Sequence, residues 1–180
     1  NRLAFEDSHA PGNFDFQHGA DDDQMATISS LAPIVVAHWR DDDLLGITAR
    51  ATRVRQNNDR AVAFVRTHAR ILTELLAGRD IHSALHRVEE TTAHDAVYGS
   101  ELMRKFQSAF ALLPKSVTEA TDQLGQSCPL ISSFPSALHS LLKFTGSFSD
   151  SIVDVLRAGG DNAGRAAVVG SWLGAHVGVN

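Results

Sequence analysis

Arg60-Ala61-Val62-Ala63-Phe64-Val65-Arg66-Thr67-His68-Ala69-Arg70-Ile71-Leu72-Thr73-Glu74-Leu75-Leu76-Ala77 is the stretch on which the fold class turns. Val62, Val65, Ala69, Leu72 and Leu76 recur at helical spacing, while Arg66, Arg70 and Glu74 mark the opposite face. Asn57-Asn58-Asp59 supplies the break and cap before it, and Gly78 the stop after it. One amphipathic helix is therefore expected over 60–77.

Downstream, Asp80 caps a short helix carrying Ile81, Leu85 and Val88, and a longer helix is expected from Asp95 to Leu113. Ser116-Val117-Thr118-Glu119 has the capping-box form for a helix ending near Gly125. A loop follows over 127–133, then a helix over 134–144 opened by Pro135. Ser149 opens another, closed by Gly159-Gly160. The last helix, over 162–176, is rich in Ala163, Gly164, Ala166, Ala167, Gly170, Ser171, Gly174 and Ala175. Such small residues allow close backbone approach, which predicts a central, tightly packed helix.

Upstream, Asp41-Asp42-Asp43 suits the start of a helix reaching Arg55, with Gly46 as its weak point. Ile28, Leu31, Ile34 and Val35 share a face from Thr27 onward, with Pro33 kinking or starting that helix. Residues 1–26 read as a loop segment whose Phe5, Phe14 and Phe16 suggest packing onto something. No alternating strand pattern appears, so the class is all-α with one core and no internal repeat.

The composition, 43% hydrophobic and 21% charged over 180 residues, suits one globular domain. A formal charge of -5 argues against nucleic acid as a partner, though nine histidines would lessen it below about pH 6.5. No apolar run is long enough to span a membrane. Cys128 is the single cysteine, so no intrachain disulfide forms, which fits a cytoplasmic setting. The start at Asn1-Arg2-Leu3 leads us to expect further natural chain upstream.

Three segments in order resemble one family. They are Gly19-Ala20-Asp21-Asp22-Asp23-Gln24 with Leu31-Ala32-Pro33-Ile34-Val35, then the run from Thr52 through Gln56-Asn57-Asn58-Asp59 to Val62. The third joins Ser127-Cys128-Pro129-Leu130 to Gly159-Gly160-Asp161-Asn162-Ala163-Gly164-Arg165-Ala166. Together they are similar to the carboxy-terminal half of the ADP-ribosylglycohydrolase superfamily, in its J-type crystallin branch. The resemblance implies a compact, all-α, orthogonal multi-helix bundle, incomplete without an upstream segment. Residues 27–180 would be the carboxy-terminal part of one such domain.

Active members of that family cleave the glycosidic bond of ADP-ribosylated acceptors, with two magnesium ions held by carboxylates from both ends of the sequence. Their carboxy-terminal pattern resembles G-G-D-x-D-[ST]. Here Asp161 matches the first carboxylate, while Ala163 and Gly164 stand at the second carboxylate and the hydroxyl. Magnesium is thus implied only if an upstream segment completes the site. Asp161, Asn162 and Arg165 could line a pocket for an ADP-ribose-type ligand, or could simply cap and brace a helix. Asp21, Asp22 and Asp23, with Asp161, could hold a metal, or could form a solvated helix start.

Other candidates are weaker. His82 and His86 have a zinc-compatible spacing but lack the metalloprotease glutamate, so a surface or packing pair is favoured. His38, His68 and His139 read as packing or interface residues. Arg50, Arg53, Arg55, Arg60, Arg66 and Arg70 form either a patch for a pyrophosphate or acidic partner, or a solvated face. Cys128 reads as structural. The expectation is a non-catalytic protein of structural or assembly role with protein partners. The alternative is a hydrolase or binder of ADP-ribose-type N- or O-glycosides.

Overall fold

The computed structural model describes residues 19–178. The expected packing of Phe5, Phe14 and Phe16 lies outside them. Ten helices and no strand occur among the described residues. In chain order they are α1 (Ala26–Ser29), α2 (Ala32–His38), α3 (Leu44–Arg55), α4 (Asp59–Leu76) and α5 (Ile81–Thr92). They continue with α6 (Gly99–Ala111), α7 (Val117–Leu124), α8 (Leu130–Leu142), α9 (Phe148–Arg157) and α10 (Asn162–Val177).

The quoted stretch becomes α4, the hub of the bundle. Asn58 caps it by accepting from the Ala61 amide at 3.0 Å. Burial extends well beyond the expected stripe, to Ala61, Ala63, Phe64, Thr67, His68, Ile71 and Leu75. Helices α1, α2, α3, α5, α8 and α10 all pack on it. Phe64 meets Phe134 of α8 edge-on at 5.2 Å, and Phe134 meets Trp172 of α10 edge-on at 5.9 Å. These rings join the three central helices.

Local signals placed several helix ends as expected. Ser116 and Glu119 form the reciprocal capping box of α7, and Asp80 accepts from the Ser83 amide to open α5. Pro33 does open α2, but α1 is a separate short turn before it.

Elsewhere the boundaries moved. α8 starts at Leu130, inside the expected loop, and Pro135 lies within the helix instead of opening it. Every residue from Ser133 to Leu142 is buried there, and that packing outweighs the hydrogen bond a proline removes. α6 starts at Gly99 because the Asp95 carboxylate accepts the Val97 and Tyr98 amides at 3.0 and 2.8 Å, forming a turn first. The cap of α9 is Ser147, two residues before Ser149, accepting from the Asp150 amide, so the helix opens at Phe148. α3 begins at Leu44 after a turn in which the Leu44 amide reaches Asp41 O at 3.1 Å.

α10 packs centrally, against α1, α4, α8 and α9, chiefly through its bulky residues. Its inward face is Arg165, Val168, Val169, Trp172 and Leu173. Ala163 and Ala167 are exposed, and a side chain at Gly174 would meet nothing within 4 Å. Ala166 and Ala175, by contrast, pack partly buried against the core, and a Cβ at Gly170 would sit 3.6 Å from Ile152 of α9.

Candidate functional site

Three loops converge at one end of the bundle. Residues 19–25 run as an extended strap between the α3–α4 corner and the loop before α8. The strap pairs in parallel with the corner at Ala20 and Gln56, through Ala20 N to Arg55 O (3.3 Å) and Asn57 N to Ala20 O (2.8 Å). Four residues later it pairs antiparallel at Gln24 and Pro129, with Leu130 N to Asp23 O at 2.8 Å and Met25 N to Cys128 O at 2.9 Å. The Asp161 amide then donates to Gln126 O at 2.8 Å, tying in the start of α10.

Gly160 makes that last junction possible. Its φ of +64° is a left-handed conformation, and a Cβ there would sit 2.2 Å from the Gln126 carbonyl oxygen.

The three strap carboxylates fan out onto different donors. Asp21 accepts from Asn58 Nδ2 at 2.7 Å. Asp22 accepts from Gln56 Nε2 at 3.2 Å and from the Asp23 amide at 2.9 Å. Asp23 pairs with Arg60 Nη1 at 3.3 Å, and Arg60 Nε also lies 3.3 Å from Glu101 Oε1. Glu101 first, then Asp23, hold the Arg60 pKa above its ordinary value against the opposing effect of burial. Divergent carboxylates that already face protein donors do not make a cage for a hard cation. Among the described residues no three of His, Cys, Asp or Glu are grouped to hold a metal. The residues present therefore do not fit magnesium by themselves.

Asp161 occupies the N-cap of α10, its Oδ1 accepting from the Gly164 amide at 3.2 Å. Asn162 reaches back to Leu156 O at 3.2 Å. Ala163 is exposed beside them. Arg165, four residues on from the cap, is fully buried. Its Nη2 donates to Gly159 O, while Nε and Nη1 have no hydrogen-bond partner among the described residues. Burial pushes its pKa down and Asp161 partly opposes that. A buried, incompletely satisfied guanidinium is costly to fold around.

A second buried polar pair lies deeper. His68 is fully buried with neither ring nitrogen partnered, 5.6 Å from the Trp172 ring. Its pKa is pushed down to about 3 by burial, so the ring is neutral. The Trp172 indole nitrogen is also without a partner.

The remaining candidates are mostly absorbed by internal contacts. Arg50 pairs with Asp43 at 2.9 Å, Arg53 with Asn57 (2.7 Å) and Asp59, and Arg55 with Ser30 at 2.8 Å. Arg66 donates to Leu45 O at 3.3 Å, leaving Arg70 without a hydrogen bond or ion pair. His86 stacks on Phe110 at 4.8 Å and lies 3.6 Å from Glu89, away from any joint ligation with exposed His82. His38 pairs with Asp41 at 2.6 Å, and His139 contacts Leu112 O at 3.0 Å. The thiol of Cys128 is exposed and free, whereas its carbonyl anchors Met25.

Sequence reasoning singled out the carboxylates, named Arg60 only as part of an arginine patch and Asn58 only as a cap, and did not pair them with the carboxylates; Gln56 and Glu101 it did not single out as site residues. Asn58 was within reach, because a helix-capping asparagine keeps a free amide group to donate. Glu101, 41 residues from Arg60 on another helix, carried no sequence signal.

A profile of the family described as ADP-ribosylglycohydrolase matches residues 3–180. Among curated proteins, Crystallin J1A of Tripedalia cystophora is 27% identical over 165 residues, covering 91% of this chain and 49% of the relative. Crystallin J1B of the same organism is 26% identical over the same coverage. The chain thus spans about half the length of the curated relatives it matches.

Proposed function

The chain belongs to the ADP-ribosylglycohydrolase family, and from that premise we propose that it is a non-catalytic member with a structural or assembly role. The engagement of its carboxylates carries this reading. Asp161 caps α10 through Gly164, and Asp21, Asp22 and Asp23 hold Asn58, Gln56 and Arg60. Ala163 and Gly164 stand where the family pattern calls for oxygen ligands. These groups brace three loops against one another instead of offering open oxygens to an ion. Both relatives described above bear the name crystallin. The same reading places the protein in the cytoplasm among protein partners, in keeping with the exposed free thiol of Cys128. No helix among the described residues is long and apolar enough to cross a membrane.

A second reading, a hydrolase or binder of ADP-ribose-type glycosides completed by an upstream segment, is favoured by one observation. Arg165 lies buried and only partly satisfied beside Asp161, where three loops meet. Calorimetry on the full-length protein with ADP-ribose and magnesium chloride separates the two. The structural reading expects no saturable heat at millimolar ligand, and a saturable isotherm would overturn it.

A further inference from the structure

A cavity lies at the end of α4 away from the strap, about 20 Å along the helix from Asp59 by its rise per residue. Its volume is about 370 Å³, between the α2–α3 loop, the carboxy-terminal half of α4, and α5. That volume falls within the range of small-molecule sites. Trp39, Leu45 and Val88 supply apolar wall, and Arg70 and Thr73 supply polar groups from α4.

The pairing of the charges around this cavity says what it would take. Glu74 is saturated by Arg79 and by Arg87 at 3.1 Å, and Asp41 is taken by His38. Arg70 is left half-buried with no hydrogen bond or ion pair among the described residues, and the Thr73 hydroxyl is buried with no partner among them. Burial and the nearby Arg66 push the Arg70 pKa down, opposed by Asp95, so an arriving anion would relieve an unfavourable charge. A guanidinium binds carboxylates in a two-pronged fork. Asp42, unpaired on the cavity wall, disfavours a ligand with several negative charges.

We propose that this cavity is a binding site for a small organic monocarboxylate with an apolar body, its carboxylate on Arg70 and its body against Trp39, Leu45 and Val88. The site is separate from the strap and from Asp161, and does not depend on the reading given above for them.

Phenylacetate is the probe, with its neutral isostere phenylacetamide and inorganic pyrophosphate as comparisons, read by intrinsic tryptophan fluorescence and calorimetry. Trp172 is fully buried in the core, so Trp39 is the responsive fluorophore. Phenylacetate should bind saturably with Kd on the order of 1 mM, as expected for a ligand of this size. Phenylacetamide and pyrophosphate should bind at least about tenfold more weakly. Arg70→Gln should weaken phenylacetate about tenfold while its melting temperature stays at or above that of the parent. If that variant does not fold, Arg70→Lys, which keeps the charge and loses the fork, should weaken binding by several-fold. Equal binding of phenylacetamide, tighter binding of pyrophosphate, undiminished binding by the folded variant, or no saturable response would each overturn the assignment.

Discussion

Replacing His68 with leucine should remove a large part of the acid sensitivity of this fold. The folded ring has its pKa near 3, against about 6.5 for an ordinary histidine. As pH falls through 6.5 the unfolded chain takes up a proton that the native chain refuses until about pH 3. Stability is therefore intact above pH 6.5 and drains away between there and pH 3. Going from about pH 7.5 to about pH 5, linkage for this one group amounts to roughly 2 kcal/mol. With a urea slope near ~2 kcal/mol per molar, the unfolding midpoint drops by about 1 M on this account alone. Leucine has similar bulk, leaves no unpaired ring nitrogen against Trp172, and cannot titrate. Urea titrations of parent and His68→Leu at both pH values give the test. His139, also depressed by burial, and the carboxylates contribute alike to both proteins, so the difference between the two pH shifts isolates position 68. Identical pH shifts would refute the argument, since they would mean that His68 ionises as readily in the fold as in water.

Gly160→Ala combines a left-handed residue with an impossible approach to the Gln126 carbonyl, and thermal unfolding should show a loss of about 2–4 kcal/mol. Ser116→Ala removes one half of the α7 capping box and should cost about 1 kcal/mol in a urea titration. Arg165→Met replaces a buried guanidinium of which only Nη2 is partnered, and should raise the melting midpoint, by an amount corresponding to about 1–3 kcal/mol; a lower midpoint would show that the native state satisfies this group.

The sequence announced those elements whose information is local. The α4 period, the Asn58 and Asp80 caps and the Ser116–Glu119 box each lie within one or two turns of the helix they define. Pro135 misled because a proline near an apolar run reads as a helix start, and only burial of the whole segment from Ser133 onward keeps it inside α8. The last helix is central as expected, though its inward stripe is built mainly from its few bulky residues, with Ala166 and Ala175 packed partly buried beside them. The candidate site was half legible. Adjacent aspartates stand out in any sequence, but whether they converge or diverge depends on the register of the strap against the α3–α4 corner, which is set at long range.

The junction at Gly160 has a genetic corollary. The nearest atom that forbids a side chain there is the main-chain oxygen of residue 126, at 2.2 Å, ahead of the Gln126 Cβ at 2.5 Å, and every amino acid placed at 126 would present the same oxygen. No replacement at 126 can act as a suppressor of a change at 160. Revertants should therefore restore the glycine itself or compensate elsewhere, and the two positions should vary without correlation even though they touch.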